Sequence, residues 1–193
     1  MIPAAFDALF LEARTHHHWL ETPVADSVLH DLYDLGRMPP TSANTQPMRL
    51  VFVKSAEAKA RLRPAIWETN VDKVMLAPVT AIVAYDLEFY EQMPKLMPGV
   101  DVRGRLMTRP PEMLAKMAQQ SGTMQGGYLI LAARALGLDC GPIGGFDTAM
   151  VDETFMAGTA WKSNFLLNLG YADHAQLVPR RPRLDFEDAC RIV

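Results

Sequence analysis

The stretch RMPPTSANTQPMRLVFV, residues 37–53, joins a loop of prolines and small polar residues to an apolar segment. The loop holds three prolines, three hydroxyl side chains and two side-chain amides, whereas an ordinary turn needs only one or two such residues. Residues 50–53 show no polar alternation, which predicts a buried strand. The loop is therefore either a binding element for a ligand rich in heteroatoms or a well-ordered connection.

Composition places the chain among globular proteins of about one domain. It has 193 residues, of which 49% are hydrophobic and 21% are charged, as expected for a protein that buries a core. A formal net charge of −3 and a pI near 5.9 give no electrostatic case for binding nucleic acid. Cys140 and Cys190 are too few for a disulfide framework and fit a reducing compartment. We expect a single domain over residues 1–193.

Neither a signal peptide nor a membrane span is recognisable in the sequence. Asp7 and Glu12 lie where a signal peptide is basic and then uniformly apolar. The longest apolar stretch, residues 128–138, contains Arg134 and is shorter than the roughly 20 residues that a membrane helix needs. These features predict a cytoplasmic protein with no membrane partner.

Helical and strand patterns alternate outward from the opening stretch. Ser55 is the expected cap of a helix, and Gly36 and Gly137 are expected helix ends. Residues 86–111 break every regular period and predict an irregular excursion or lid. The predicted helices cover residues 4–15, 23–36, 55–66, 112–136 and 151–158, the predicted strands cover 49–55, 77–86 and 163–172, and a turn-rich loop and a basic tail cover 137–146 and 178–192.

The alternation of helices with buried strands predicts an α+β or α/β layer built on a small sheet. The helix over residues 112–136 is apolar on nearly all of its faces, more than a monomer of this size readily covers. A subunit interface would cover the remaining face.

Several common catalytic and binding motifs are missing from the sequence. It contains no G-x-x-x-x-G-K-[ST], no G-x-G-x-x-G between a strand and a helix, and no G-x-S-x-G. The three successive histidines at 16–18 do not share a helix face, so they cannot act as an i, i+4 metal pair. We expect no metal site.

What remains is a set of unusual loops with complementary chemistry. These loops are residues 13–19 with cationic and hydroxyl groups, 39–47 with amides and hydroxyls, Asn70, the glycine-rich 141–146, and 179–183 with three arginines. An organic anion with a flat polar ring would use this inventory, because phosphate binds arginine, ring edges bind amides, and ring faces need glycine for close approach. Each loop alone also fits a solvated or purely structural role.

Taken together, the loops resemble the motifs of the FMN-dependent nitroreductase family. The similar segments are ARTHHHWLETPV (13–24), PPTSANTQPMRLVFV (39–53), GLDCGPIGGFD (137–147) and RRPRL (180–184). They correspond to a basic opening motif, a P-[ST]-x-x-N-x-Q-P-W segment, a G-x-x-x-x-P-I-x-G-F loop and a basic phosphate clamp. The resemblance implies a three-layer α/β/α form of the α+β class, with a small mixed or antiparallel sheet and the long helix at a homodimer interface.

The resemblance also implies where FMN would lie, in two clefts shared between two chains. Its phosphate and ribityl chain would be bound by Arg14, Thr15, His17 and by Arg180 or Arg183. Its ring would be lined by Pro40, Thr41, Ser42, Ala43 and Asn44. Asn70 would bond the ring edge or the ribityl chain, and the backbone of Ile143, Gly144 and Gly145 would lie over the reactive nitrogen.

Two residues depart from the family's pattern. Met48 stands where a tryptophan usually follows Gln-Pro, and Gly144 stands where a glutamate often lies over the flavin. The missing carboxylate leaves room and removes a negative charge, which favours an anionic substrate. The candidates to bind its carboxylate are Arg103, Arg105 and Arg109, whose other interpretation is a solvated loop.

Within the family the chain most resembles the malonic semialdehyde reductase branch. This implies reduction of malonic semialdehyde to 3-hydroxypropionate with NADH or NADPH, by a ping-pong hydride transfer through the flavin. No catalytic side chain is assigned, because the hydride chemistry belongs to the cofactor. The alternatives are a broad-specificity nitro or quinone reductase, a non-catalytic FMN-binding protein, and a helical interaction module without a ligand.

Overall fold

The computed structural model describes residues 3–193, whose strands form one antiparallel sheet. The strands are β1 (Met48–Val53), β2 (Val79–Asp86), β3 (Asp139–Ile143) and β4 (Trp161–Gly170). They lie side by side in the order β1-β2-β4-β3, so β1 and β3 are the two edges. β2 is buried along nearly its whole length.

Helices and short helical turns surround this sheet. The α-helices are α1 (Pro3–Phe6), α2 (Asp26–Gly36), α3 (Ala56–Leu62), α4 (Val71–Met75), α5 (Met93–Leu96), α6 (Val102–Met107), α7 (Pro111–Ala135), α8 (Thr148–Met156) and α9 (Phe186–Ala189). A π-helical turn (Asp7–Leu11) follows α1, and 3₁₀ turns lie at Ser42–Asn44, Arg63–Ala65, Glu68–Asn70, Phe89–Gln92 and His174–Gln176. None of the helices within residues 3–193 combines the length and apolar content that a membrane span requires.

The two faces of the sheet carry separate hydrophobic cores. Ala81 and Val83 of β2 pack with residues of α2 and α7. Their neighbours Ile82 and Ala84 point to the opposite face and pack with residues of α3, α4 and α8. The sheet is therefore a middle layer between two helical layers, which confirms the predicted three-layer α+β architecture.

The long helix α7 (Pro111–Ala135) confirms the helix predicted over residues 112–136. Gly137 follows it with φ of 78°, the left-handed conformation that glycine adopts without strain at a helix end. Helix α2 ends at Gly36, as predicted, but Gly36 does not have the positive φ of a glycine cap. A Cβ on Gly36 would lie 2.6 Å from Leu129 Cδ1, so this glycine instead lets α2 pack closely on α7.

Other predictions fail at the edges of the sheet. Residues 137–146 do not form only a turn-rich loop, because residues 139–143 are β3, an edge strand that tolerates Pro142. The first helical region ends at Leu11 rather than near Thr15, because Thr15 pairs with Cys140 of β3. β1 is only partly buried in its middle four residues, as an edge strand can be.

The excursion over residues 86–111 is more regular than its sequence indicated. It contains α5 and α6, and its residues Phe89, Met93 and Leu106 form a small buried cluster against Leu114 and Ala118 of α7. The prolines and methionines of this segment interrupt the helical period, so the sequence did not predict these short helices. Packing on α7 stabilises them, because helices this short are not stable alone.

A buried chain of polar groups ties α3 to α4 through the sheet. Lys59 Nζ donates to the carbonyl of Val74 at 2.8 Å and to Thr80 Oγ1 at 2.6 Å. Thr80 Oγ1 donates to Asn168 Oδ1 at 2.7 Å, and Asn168 Nδ2 donates to the carbonyl of Lys73 at 3.0 Å. Burial lowers the pKa of Lys59 to about 7, since the charged amine is poorly solvated there.

We therefore expect the stability of the protein to rise with pH above about 7. The unfolded chain keeps the Lys59 proton up to its ordinary pKa of about 10.4, whereas the folded chain releases it near 7. Between these values the unfolded state binds more protons, so the free energy of unfolding rises by up to about 1.4 kcal/mol per pH unit relative to Lys59→Met. Urea unfolding of both proteins at several pH values measures this difference. Parallel stability profiles would contradict it.

Candidate active site

The first group of predicted site residues gathers beside edge strand β3. The segment of residues 14–20 lies against the start of this edge, with Thr15 paired to Cys140 of β3 and Trp19 paired to Ala172, just after β4. The amide of His16 donates to the carbonyl of Cys140 at 2.9 Å. A Cβ at Gly141 would overlap the carbonyl oxygen of His16, so only glycine lets the segment lie this close.

The C-terminal loop contributes arginine to the same edge. Arg180 Nη2 donates to the carbonyls of Leu11 and Ala13, at 2.6 and 2.8 Å, which places it beside Arg14. The guanidinium of Arg14 in turn donates to the carbonyl of Val178. Arg183 donates to carbonyls of its own loop, at Arg181 and Pro182. Of the two predicted alternatives, Arg180 is therefore the one that the structure brings to the group.

Asn70 reaches this group from the start of α4. Its Nδ2 donates to the carbonyl of Gly145 at 3.2 Å, and its Oδ1 accepts a bond from Lys73 Nζ at 2.9 Å. Burial, together with the nearby Lys73 ammonium, lowers the pKa of His17. His17 Nδ1 is buried and has no hydrogen-bond partner among the described residues. We call the set Arg14, Thr15, His17, Asn70, Lys73, Gly145 and Arg180 the β3-edge group.

The two glycines after β3 differ in their surroundings. A Cβ on Gly145 would collide with Asn70 Nδ2 and would lie 2.9 Å from Trp67 Cε3. A Cβ on Gly144 would have no atom within 4 Å. Ile143 itself is buried. The chain thus offers bare backbone and open space at Gly144 beside the fixed amide of Asn70.

The second group lies in the loop that precedes the other edge strand, β1. Ala43, Asn44 and Gln46 all have positive φ, at 50°, 53° and 40°. This conformation is uncommon outside glycine and costs on the order of 1–2 kcal/mol for a residue such as alanine. Ser42, Ala43 and Asn44 are also exposed, and such strain in exposed polar backbone is typical of binding sites.

Hydrogen bonds hold this loop in its strained form. Thr41 Oγ1 accepts from the amide of Gln46 at 3.2 Å, and Asn44 Oδ1 accepts from Gln46 Nε2 at 2.9 Å. Asn44 Nδ2 donates to the carbonyl of Leu96 at 3.2 Å, and the amide of Ser42 donates to Ser121 Oγ at 3.3 Å. We call residues 40–46 the β1 loop, which includes the predicted site residues Pro40, Thr41, Ser42, Ala43 and Asn44.

A cavity of about 280 Å³ opens beside the β1 loop. Its lining includes Ser42 and Ala43 together with Arg105 and Arg109, two of the three predicted substrate arginines. The third, Arg103, makes a bidentate bond to the Glu91 carboxylate at 2.7 and 2.8 Å. The rest of the lining is apolar and consists of Met97, Val100, Val102, Leu106 and Met117.

The strand order separates the two groups. The β3-edge group and the β1 loop flank opposite edges of a four-stranded sheet. Three spacings of roughly 4.8 Å between neighbouring strands put the two edge strands about 14 Å apart. The predicted site residues therefore fall into two separate groups within one chain.

Sequence reasoning missed two residues that belong to these groups. Lys73 lies three residues after Asn70 on the same face of a helix, a spacing that could have revealed it. Ser121 contacts the β1 loop from the middle of α7, 79 residues further along the chain. No local pattern indicates that contact.

Comparison with known proteins identifies the family. The model of the nitroreductase family matches residues 11–171. A Burkholderia lata protein provisionally described as an NADH dehydrogenase/NAD(P)H nitroreductase is 55% identical over 189 residues, which span 98% of this chain and 96% of that protein. The chain belongs to the nitroreductase family.

Solved structures share the fold at low sequence identity. A provisionally described nitroreductase from Exiguobacterium sibiricum, in complex with FMN, is 22% identical with a TM-score of 0.88, and 97% of each chain is covered. A protein provisionally described as an NAD(P)H:FMN oxidoreductase, from Staphylococcus epidermidis, is 20% identical with a TM-score of 0.85, covering 97% of this chain and 95% of that one.

Proposed function

We propose that this chain is an FMN-dependent NAD(P)H oxidoreductase that works as a homodimer and reduces malonic semialdehyde to 3-hydroxypropionate. The observation that carries the proposal is the division of the polar residues into two half-sites at opposite sheet edges. The B. lata relative is described with NAD(P)H, and the E. sibiricum relative is a complex with FMN, which supports the same cofactors here.

The β3-edge group fits a phosphorylated flavin. Arg14, Lys73 and Arg180 supply cationic donors of the kind that bind phosphate. The buried Nδ1 of His17 lacks a protein partner among the described residues and is free to accept or donate to a ligand. The open space at Gly144 permits close approach of a flat ring to the backbone.

Each part of the chain then has a definite task. FMN, when bound, would accept a hydride from NAD(P)H and deliver it to the acceptor. Lys73 and Gly145 fix both ends of the Asn70 amide, so that this side chain meets a ligand in one orientation. The β1 loop is held rigid by its internal bonds and would line the ring from the second chain.

Exposed apolar surface supports a dimer. One stripe of α7 is buried in this chain, but a second stripe at helical spacing faces outward and includes Met113, Met124 and Tyr128, all more than 40% exposed. The C-terminal segment likewise leaves Leu184, Phe186 and Ile192 exposed. Apolar surface of this kind on a soluble protein marks an interaction site, and a second copy would cover it.

The positive charge of two arginines around the cavity favours an anionic acceptor. Arg105 and Arg109 line it beside Ser42 and Ala43. In the proposed dimer, Gly144 of the second chain would bring no carboxylate that repels an acid. An anionic aldehyde would be oriented by one or both guanidinium groups. Arg103 contributes less in this proposal, because Glu91 already binds its guanidinium.

The apolar part of the cavity favours a second candidate. A space of about 280 Å³ walled by methionine, valine and leucine also suits a nitroarene or a quinone, and the B. lata relative is described as a nitroreductase. The chain would then be a broad-specificity nitro or quinone reductase with the same cofactors.

The visible spectrum of the purified protein tests the cofactor. We expect the yellow absorbance of oxidised flavin and its bleaching when NADH or NADPH is added without oxygen. A colourless protein that binds no added FMN would contradict the proposal. A yellow protein that is not bleached by either nucleotide would be a flavin-binding protein without this activity.

A pair of glycine variants tests the placement of the cofactor. Gly145→Ala should lose flavin on dialysis, because the new Cβ displaces Asn70. Gly144→Ala should fold normally, because its Cβ meets no atom of the chain, but it should also lose flavin, because that Cβ would occupy the space proposed for the ring. Wild-type retention of flavin by Gly144→Ala would contradict the placement of the cofactor.

Acceptor selectivity tests the substrate. Arg105→Ala and Arg109→Ala should lower kcat/KM for malonic semialdehyde by roughly 10- to 100-fold, the size expected for loss of a charged hydrogen bond. The kcat/KM of these two variants for a neutral quinone should change little. Arg103→Ala should leave the ratio of kcat/KM for malonic semialdehyde to kcat/KM for the quinone unchanged. Equal losses on both acceptors would favour the broad-specificity reductase.

A further inference from the structure

Three side chains that the proposed reaction does not use meet at the start of β3. His16 Nε2 lies 3.2 Å from Asp139 Oδ1, and His174 Nε2 lies 3.1 Å from Asp139 Oδ2. The two imidazole centroids are 4.9 Å apart, and one ligand-type atom from each of the three residues lies within 4.8 Å of the others. His16 is buried, whereas His174 is 66% exposed. The cluster is therefore reachable from solvent through His174.

We propose that His16, Asp139 and His174 form a binding site for a divalent transition-metal ion of the zinc type. In a tetrahedral zinc site with Zn–N distances near 2.0 Å, neighbouring ligand atoms lie about 3.3 Å apart. The two observed nitrogen–oxygen distances, which run to different oxygens of the Asp139 carboxylate, are close to that separation. Two imidazoles and one carboxylate suit zinc or a similar first-row ion rather than magnesium or calcium, and three protein ligands leave a position for water.

Two of the three ligands are already fixed by the backbone. The amide of His16 donates to the carbonyl of Cys140 at 2.9 Å, which ties this histidine to β3. The amide of Ala172 donates to Asp139 Oδ2 at 2.9 Å, which orients the carboxylate. Such supporting bonds are what hold metal ligands in position. His174 lies in a short exposed turn, so small movements of its ring can complete the site.

The spacing of residues 16–18 excludes only a metal pair formed within that run of histidines. The cluster takes a single histidine from that run and its other two ligands from positions 123 and 158 residues further on. A bound ion would cross-link the N-terminal segment, β3 and the turn after β4. Residues 14, 15 and 17 of the β3-edge group belong to the cross-linked segment, so the ion would stiffen that half-site.

Zinc titration of the purified protein tests this site without reference to its activity. After dialysis against chelator and then metal-free buffer, we expect calorimetry to show one Zn²⁺ bound per chain and a higher Tm with Zn²⁺ present. His174→Ala should bind Zn²⁺ at least about tenfold more weakly, since loss of even a supporting partner has an effect of that size. This side chain is exposed, so its removal should leave the fold intact.

His30→Ala is the matched control, because it removes another exposed histidine that lies on α2, outside the cluster. It should bind Zn²⁺ as tightly as the wild type, and Asp139→Asn should bind more weakly. No saturable binding by the wild type, or equal affinity in the wild type and His174→Ala, would overturn the proposal. The three residues would then serve only as hydrogen-bonded links between segments.

Discussion

The strand order β1-β2-β4-β3 is the constraint on which the rest of the structure depends. It places the two most unusual backbone segments of the chain, the β1 loop and the turn after β3, at opposite edges of one sheet. Strands β2 and β4 lie between them, and most of their side chains pack in the two hydrophobic cores. A single chain of this fold therefore holds the two proposed half-sites apart, and the proposed dimer would bring one of each together.

Each half-site is rigid for a different physical reason. On the β3 side, Gly141 lets the segment of residues 14–20 lie directly on the strand, and the chain from Lys59 through Thr80 and Asn168 holds the helix that carries Lys73. On the β1 side, side-chain hydrogen bonds offset the conformational cost of three residues with positive φ. Both half-sites are thus positioned before any ligand binds, as a site that orients a cofactor and a small acceptor requires.

The sequence predicted those helices and strands whose hydrophobic pattern extends over many residues. Helix α7, strands β2 and β4, and the Ser55 cap, whose Oγ accepts from Ala58 N, all lie where the pattern indicated. Strand β3 was missed because Gly141 and Pro142 are typical of turns, and only its position at a sheet edge makes them acceptable. Contacts such as Ser42 with Ser121, or Asp139 with His16, join residues far apart in the chain, and no local pattern encodes them. The order of the loops carried the family resemblance, which the match over residues 11–171 confirmed.

Mixed dimers test most directly whether two chains complete one cleft. One variant would carry Asn70→Ala with Lys73→Ala in the β3-edge group, and the other Thr41→Ala with Asn44→Ala in the β1 loop. Each alone should lack NADH-dependent turnover. A dimer of one copy of each, isolated through two different affinity tags, should recover about half of the wild-type turnover, because one of its two clefts carries neither pair of changes. A mixed dimer as inactive as its parents, or a wild-type protein that is active as a monomer, would contradict the account.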